Sequence, residues 1–340
     1  MRISVSQFAA GLAGGAVLLI AVVHTSAQDA LKSTAVNSES GFRFIEGPAV
    51  DKDGNLYFVH RVLKNGKSVG QISKLKPGAK KAEPFSELTD GRIGNGIRFD
   101  KEGRMYIADF KKNNVLVIEN GQTKASVYFP TNGTSGPKFN QPNDLAIGND
   151  GTIYASDPLR KGSTKTGQIW RIARGADGKV HGKVMTSDRK GAMGVTNGID
   201  LSPDGKTLYV GESTTNQIWA YRIDGDKLFS LTGGDQPMTT VKGGGELDGL
   251  RTDVKGRIYV THNGTGRISI VTPMSGDEPK VILTQKSAPT NLTFGGPDGK
   301  TLFITQAVDA DNNKGFIESV VVDAPGREPC LQFKGAFCPP

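Results

Sequence analysis

The stretch that decides the fold runs from Asn95 to Asp109 and reads Asn-Gly-Ile-Arg-Phe-Asp-Lys-Glu-Gly-Arg-Met-Tyr-Ile-Ala-Asp. It contains an apolar strand, a turn with a glycine, and a second apolar strand that ends on a polar residue. This pattern is typical of a β-hairpin. Five further copies of it begin at Glu46, Asn143, Asn197, Asp248 and Asn291.

The spacing of these copies predicts the architecture. Successive copies begin 43 to 54 residues apart, and more strand-like sequence lies between them. Four short strands per repeat, six times over, predict an all-β fold, a six-bladed β-propeller over residues 42–322. Residues 28–41 are then a lead-in, and the segment from Phe316 to Val322 helps to close the ring against the N-terminal blade. A solenoid is the alternative, but it requires shorter repeats and capping units.

The two ends of the chain lie outside this domain. Residues 1–27 hold Arg2, an uncharged run and then small residues, which together predict a signal peptide for export to the periplasm or the medium. A retained N-terminal anchor is the alternative, and no other stretch is apolar enough to cross a bilayer. Residues 323–340 form a tail with both cysteines. In an exported protein they predict a Cys330–Cys338 disulfide, with two free thiols as the alternative.

Composition excludes several classes of protein. Glycine accounts for 45 of 340 residues, about twice its ordinary usage, which argues against a helical bundle. The 42 Lys and Arg outnumber the 34 Asp and Glu, but they are spread along the chain without interleaved aromatic residues. We therefore expect no nucleic-acid partner. No histidine follows the two cysteines, which argues against Cys–His catalysis and a Cys-based zinc site.

The residues that begin the six copies predict a cation site. In a propeller the first strand of each blade lies innermost, and all six run in the same direction along the central channel. Their first residues should therefore converge at one mouth of the channel, and all six carry a side-chain oxygen. This inner ring is Glu46, Asn95, Asn143, Asn197, Asp248 and Asn291. Two carboxylates with neutral amide oxygens are typical of a hard divalent cation, and Ca²⁺ is favoured over Mg²⁺.

A second set of polar residues ends the second strand of each copy. It lies 14 residues after the inner-ring residue in four copies and 15 residues after it in two. This outer ring is His60, Asp109, Asp157, Glu212, His262 and Gln306. We expect its members to support the inner ring through hydrogen bonds. Proton transfer by the two histidines is the alternative.

The sequence resembles the senescence-marker-protein/gluconolactonase (regucalcin-like) family of six-bladed propellers. The resemblance spans nearly the whole chain after residue 27. It is carried by Glu46-Gly-Pro48, Pro142-Asn-Asp144, Asn197-Gly198, Ser202-Pro-Asp-Gly205, Asp248-Gly249 and Phe294-Gly-Gly-Pro-Asp298. Members of this family bind one divalent cation, usually calcium or zinc, in the channel and hydrolyse lactones.

The resemblance also implies roles for the inner ring. The expected cation ligands are Glu46, Asn143, Asn197 and Asp248. Ca²⁺ is the expected ion, with Zn²⁺, Mg²⁺ and Mn²⁺ as alternatives. Asn143 is also expected to bind substrate, and we assign the same role to Asn95 and Asn291. Gln141 stands where many sugar lactonases of the family have arginine, so gluconolactone itself is not implied.

These expectations combine into an exported, metal-dependent lactonase that acts on a small lactone or ester. A divalent cation can polarise an ester carbonyl for attack by water without a Ser–His pair. Asp248 is the candidate general base, and cation ligation alone is its other possible role. A hydrolase of phosphotriesters or aryl esters is one alternative, because the related phosphotriesterase propellers use a similar Glu, Asn, Asn, Asp quartet. A non-catalytic propeller with a structural cation and a partner-binding loop at Thr131 to Pro142 is the other.

Overall fold

A computed structural model describes residues 30–37, 41–130, 136–158, 167–191, 193–307 and 314–332. It confirms the six-bladed β-propeller. No helix in these ranges has the length and apolar character needed to span a membrane. The chain begins with two short strands, β1 (Leu31–Lys32) and β2 (Thr34–Ala35).

Blades 1 to 3 are each a four-stranded antiparallel sheet of consecutive strands. Blade 1 contains β3 (Arg43–Val50), β4 (Leu56–Lys64), β5 (Lys67–Leu75) and β6 (Glu83–Leu88). Blade 2 contains β7 (Gly94–Phe99), β8 (Met105–Asp109), β9 (Asn114–Ile118) and β10 (Ser126–Phe129). Blade 3 contains β11 (Leu145–Ile147), β12 (Ile153–Asp157), β13 (Gln168–Arg174) and β14 (Val180–Val184).

Blades 4 to 6 follow the same plan with additions at their edges. Blade 4 contains β15 (Thr186–Ser187), β16 (Thr196–Leu201), β17 (Thr207–Glu212), β18 (Gln217–Asp224), β19 (Lys227–Ser230) and β20 (Thr239–Thr240). Blade 5 contains β21 (Glu246–Thr252), β22 (Ile258–Asn263), β23 (Arg267–Val271) and β24 (Lys280–Leu283). Blade 6 contains β25 (Ala288–Gly295), β26 (Thr301–Ala307) and β27 (Gly315–Val321), and helix α1 (Arg327–Gln332) follows it.

The N-terminal segment closes the ring. Strand β2 pairs antiparallel with β27 and supplies the fourth strand of blade 6, while β1 pairs in parallel with β24 at the edge of blade 5. Between them, the Ser33 hydroxyl donates to the Glu318 carboxylate. The predicted closing segment from Phe316 to Val322 is the third strand of blade 6, and its outer partner is β2. The propeller therefore includes residues that the sequence assigns to a lead-in.

The backbone conformation of the hairpin turn explains why each copy has a glycine there. In all six copies this glycine has a φ between +69° and +80°, a conformation that glycine adopts without steric cost. The six are Gly54, Gly103, Gly151, Gly205, Gly256 and Gly299. In blade 1, Asp51 Oδ1 accepts hydrogen bonds from the backbone N–H groups of Asp53 and Asn55, each at 2.9 Å. Asp51 thus fixes the turn and the register of the hairpin.

The hydrophobic core is divided among the blades. The described residues form six buried clusters, each lying between two neighbouring blades. Between blades 2 and 3, Trp170 packs against Phe139 with their ring centroids 4.4 Å apart. The apolar residues of the inner and second strands fill these spaces, so the channel itself is left for polar side chains.

Candidate active site

The inner-ring residues meet at one mouth of the channel. None of the six exposes more than 9% of its surface. Asn291 Nδ2 donates to Glu46 Oε2 at 3.1 Å, a contact that joins the sixth blade to the first. Asn143 is held through its main chain, since its N–H donates to the Ser156 carbonyl oxygen and its own carbonyl oxygen accepts from Gly96, both at 2.8 Å.

A glycine after four of the inner-ring residues explains how the strands come so close. A Cβ on Gly47 would lie 1.9 Å from the Asn95 carbonyl oxygen in the next blade. A Cβ on Gly198 would lie 2.4 Å from the Asp248 carbonyl oxygen. Any side chain at these positions would therefore push neighbouring strands apart. The four glycines are Gly47, Gly96, Gly198 and Gly249.

Two carboxylates share this buried mouth. Burial and the negative charge of Asp248 raise the pKa of Glu46 well above its ordinary value. Hydrogen bonds to Glu46 Oε2 from Gly47 N (2.9 Å) and Asn291 Nδ2 (3.1 Å) act in the opposite direction. A buried pair of like charges is unfavourable unless a proton or a cation offsets it.

Two amide oxygens in the same ring lack partners. Oδ1 of Asn95 and Oδ1 of Asn197 are buried and accept no hydrogen bond. Buried amide oxygens normally have one. A hard cation would supply the missing partner and offset the two carboxylates, so the donor set fits Ca²⁺. Among the described residues no group of three His, Cys, Asp or Glu side chains is arranged to hold a metal ion, so a cation site at the mouth would depend on amide oxygens as well.

Asn291 is oriented differently from the other amides. Its Oδ1 accepts hydrogen bonds from Arg251 Nη2 at 3.1 Å and from Leu292 N at 2.9 Å. Its amide nitrogen, which donates to Glu46, is therefore the group it presents to the ring. Asn291 thus positions Glu46 in this structure, whereas the sequence predicts a substrate contact.

Sequence reasoning missed two residues that contact the inner ring directly. Asn263 Nδ2 donates to Asp248 Oδ2 at 3.1 Å, and Asn197 Nδ2 donates to Ser213 Oγ at 3.0 Å. Each stands one position after an outer-ring residue, so the repeat that locates the outer ring also locates them. We call this position of each copy the rim position.

The outer-ring acids hold the loops that lead into the inner strands. Asp157 accepts hydrogen bonds from the backbone N–H groups of Asn140 (2.9 Å) and Gln141 (2.6 Å), just before Asn143. Similarly, Asp109 accepts from Ile93 N at 3.2 Å. Glu212 accepts from Gly194 N at 2.9 Å. The outer-ring acids therefore fix the loops before the inner strands, and direct support of the inner-ring side chains stays a prediction.

The outer-ring histidines and Gln306 also contact buried neighbours. His262 Nδ1 donates to the Gly244 carbonyl oxygen at 2.9 Å, so its Nε2 accepts from Ser269 Oγ at 2.9 Å. His60 Nε2 lies 2.8 Å from Ser73 Oγ. Burial lowers the pKa of His60 to about 4 and lowers that of His262. Gln306 Nε2 donates to the Lys286 carbonyl oxygen at 3.2 Å.

A charged cluster that the sequence did not suggest lies in the channel below the inner ring. Asp144 is fully buried and accepts from Arg98 Nη2 and Arg251 Nη1, both at 2.9 Å. Burial raises the pKa of Asp144, but Arg251 and Arg98 outweigh it and hold that pKa below its usual value. Glu328 Oε1 lies 2.6 Å from Arg98 Nε. We call this set, completed by Asp200 and Arg327, the base cluster.

The C-terminal segment closes the end of the channel opposite the inner ring. Arg327 Nη2 donates to the Ile147 carbonyl oxygen at 3.0 Å, and its Nε donates to the Ser202 carbonyl oxygen at 3.1 Å. Gly326 N donates to the Gly299 carbonyl oxygen at 3.0 Å, and a Cβ there would lie 2.2 Å from Phe294. Residues of the predicted tail therefore pack against this end of the propeller.

Three predictions fall outside the described residues. The export signal lies in residues 1–27, and part of the proposed recognition loop lies in residues 131–135. The disulfide requires Cys338 and the side chain of Cys330, neither of which the structure describes.

Comparison with known proteins agrees with this architecture. Residues 44–308 match the family model described as "SMP-30/Gluconolactonase/LRE-like region". A gluconolactonase of Zymomonas mobilis is 26% identical over 292 residues, which cover 78% of this chain and 77% of that protein.

Solved structures show the same fold. A regucalcin from Agrobacterium tumefaciens, described as a calcium-binding protein, has a TM-score of 0.63 at 20% identity. The match covers 87% of this chain and 98% of that one. A gluconolactonase of Xanthomonas campestris has a TM-score of 0.63 at 19% identity and covers 84% of this chain and 89% of its own.

Proposed function

The chain belongs to the SMP-30/gluconolactonase/LRE-like family, and from this and the geometry of the mouth we propose that it is an exported, metal-dependent lactonase. The observation that carries the proposal is the inner ring itself. It places a carboxylate pair beside two amide oxygens, those of Asn95 and Asn197, that have no hydrogen-bond partner. Relatives named gluconolactonase support the reaction class.

In this proposal the residues of the inner ring have different roles. Glu46, Asn197 and Asp248 would hold the cation, with Asn143 completing its shell or contacting substrate. Held by these residues, a divalent cation would supply Lewis-acid polarisation of the lactone carbonyl and would stabilise negative charge on its oxygen. Asp248, oriented by Asn263, would accept a proton from the attacking water. The glycine-packed strands and the outer ring keep these groups in place before substrate arrives.

A lactone panel tests the proposal. The purified chain is treated with a chelator and assayed with and without added Ca²⁺ on lactones of different ring size, an aryl ester and a phosphotriester. We expect lactone hydrolysis that falls by about 100-fold or more on chelation and returns with Ca²⁺. Activity that survives complete metal removal would overturn metal dependence. Faster turnover of the phosphotriester or the aryl ester would favour that alternative.

The Asp248→Asn variant separates the two roles of Asp248. Asparagine keeps a ligand oxygen but cannot accept the proton, so a general base predicts a large fall in kcat with Ca²⁺ binding nearly retained. A ligand-only role predicts that the fall in activity follows the loss of Ca²⁺ affinity and is recovered at high Ca²⁺. Asp224→Asn, at an exposed position, is the matched control. A non-catalytic propeller predicts no turnover in any variant.

Export is a separate part of the proposal. It rests on the sequence of residues 1–27, and cell fractionation with N-terminal sequencing of the mature chain tests it. A mature chain that starts near residue 28 in a soluble exported fraction supports a cleaved signal. A full-length chain in the membrane fraction supports the anchor, and a full-length cytosolic chain would overturn export.

A further inference from the structure

The rim position of the repeat lines the mouth of the channel. In blades 4 and 5 it is occupied by Ser213 and Asn263, which contact Asn197 and Asp248 directly. In blades 1 and 2 the same position is occupied by Arg61 and Phe110. The repeat therefore places a cationic and an aromatic side chain at the positions that correspond to Ser213 and Asn263.

Arg61 is held by aromatic rings. Its guanidinium carbon lies 4.0 Å from the ring centroid of Phe44 and 5.6 Å from that of Phe110. The two rings also contact each other, with their centroids 5.4 Å apart. Stacking on aromatic faces fixes the plane of a guanidinium and leaves its edge for planar anions such as carboxylates.

Arg61 differs from Arg189, another arginine beside the outer ring, in whether its charge is paired with a carboxylate. Arg189 also stacks on an aromatic ring, Trp219 at 4.0 Å, but it forms an ion pair with Glu212. Arg61 makes no ion pair with a carboxylate of the described residues, and its buried Nε has no hydrogen-bond partner. It also stands directly opposite Arg43 in the pairing of β3 with β4, an unfavourable arrangement of like charges.

The backbone of Phe44 adds a second observation. Phe44 has a φ of +51°, although it has a side chain and lies only two residues before Glu46. Such a conformation is unfavourable for a residue with a side chain, and it persists where surrounding contacts determine it. Here it places the Phe44 ring under Arg61. Strain of this kind is concentrated at ligand sites.

We propose that Arg61, stacked on Phe44 and Phe110, binds a negatively charged group of the substrate while the ester is held at the inner ring. The chemical class is then a lactone that carries a carboxylate, sulfonate or phosphate substituent. This inference rests on the proposed function, because it names the substrate class of the same site. Arg61 is a specificity-determining residue, and hydrolysis itself is left to the inner ring.

Matched ligands test the inference through binding. An aldonate and the aldarate of the same sugar differ only in a terminal hydroxymethyl group against a second carboxylate, and neither is a lactone. Calorimetry in Ca²⁺ should show that the wild type binds the aldarate at least about tenfold more tightly, a difference that Arg61→Met removes. Arg222→Met is the control, since Arg222 stacks on Phe229 at 4.6 Å and is exposed. Equal affinity for both acids in the wild type would overturn the inference.

Kinetics on the matching lactones completes the test. For the aldaro-lactone, Arg61→Met should raise KM about tenfold with kcat within a factor of about two, and the aldono-lactone should be unaffected. An equal loss on both lactones would show a structural role and overturn the inference. If the wild type hydrolyses neither lactone but binds the aldarate through Arg61, the proposed function fails while the anion site stands.

Discussion

The two ends of the channel handle buried charge in opposite ways. In the base cluster three guanidinium groups meet three carboxylates, and each group has a partner from another strand or from the C-terminal segment. At the mouth, burial and the nearby carboxylate of Asp248 raise the pKa of Glu46, and two amide oxygens have no partner. The charges of the base cluster balance one another, although Nε of Arg98 and Nε of Arg251 lack hydrogen bonds. At the mouth the two carboxylates have no cationic side chain among the contacts described above, so a bound cation would offset them. The contrast favours the mouth as the functional end, in line with the proposed function.

The largest effect should follow from Glu46→Gln at the mouth. We expect lactone hydrolysis to fall by about 100-fold or more, because the variant loses one of two carboxylates proposed to hold the cation. In chelator the variant should unfold at the same temperature as the wild type or higher, because a repulsive buried charge is gone.

The effect of Ca²⁺ on the melting temperature gives a second test of Glu46→Gln. Ca²⁺ should raise the melting temperature of the wild type, since a ligand that binds only the folded state stabilises it, and should leave that of Glu46→Gln nearly unchanged. Differential scanning calorimetry measures both. A variant that is less stable in chelator and still stabilised by Ca²⁺ would contradict the account of the mouth.

In the base cluster, Glu328→Gln should have the opposite effect on stability. Asp144 still pairs with Arg98 and Arg251 in this variant, but three buried guanidinium groups then face two carboxylates. One uncompensated buried charge typically costs about 3–5 kcal/mol of unfolding free energy. Urea unfolding measures the loss, and Ca²⁺ should not restore it. Glu87→Gln is the control, because Glu87 pairs with Lys64 at the surface, where such a pair contributes little. Similar losses in the two variants would show that the base cluster contributes no more than a surface pair.

Part of this comparison can be predicted from the sequence. The repeat determines strand order and direction, so the oxygens of Glu46 and Asp248 can be placed at one mouth from the repeat alone. The base cluster cannot be placed in this way. Arg98 and Arg251 are unremarkable strand residues in the sequence, and their partner Glu328 lies in a tail rich in turn-forming residues. Their meeting depends on where the tail enters the channel, which no local pattern encodes.

The strand pairing that closes the ring cannot be predicted from the sequence, for a related reason. Strands β1 and β2 have two residues each, too few to show any alternation of apolar and polar residues. Their pairing is decided by the exposed edges of blades 5 and 6, which exist only once the propeller has formed. The glycines after the inner ring are evident in the sequence, but their role in packing depends on the neighbouring blade.

Gly47→Ala should disturb the mouth less than the loss of a charge but more than an ordinary glycine substitution. Gly205→Ala is the matched variant: its φ of +71° is also positive, but nothing lies within 4 Å of the new Cβ, so it should cost about 1 kcal/mol. Gly47→Ala must in addition displace the Asn95 carbonyl oxygen, so it should be less stable than Gly205→Ala and should also lose activity. Equal stability and full activity would show that close strand packing is not needed at the mouth.

The last prediction is a loss of stability at acid pH. It tests whether the role of the outer ring is structural. Burial holds the pKa of His60 at about 4, below its ordinary 6.5, so folding favours the neutral ring. Its contribution to stability is complete above about pH 6.5 and is lost as the pH falls toward 4. The expected loss is about 2 kcal/mol between about pH 7.5 and pH 5. His262 should add to it, since its pKa is also lowered.

His60→Gln should remove part of this pH dependence when urea unfolding is followed at both pH values. His181→Gln is the control, because His181 is exposed and pairs only with Asp177 on the surface. A proton-shuttling His60 predicts the same change in stability, because that change follows from burial of the ring, but it also predicts that the variant changes the pH dependence of kcat. If stability loses its pH dependence while kcat keeps its own, the outer ring supports the mouth without taking part in the chemistry.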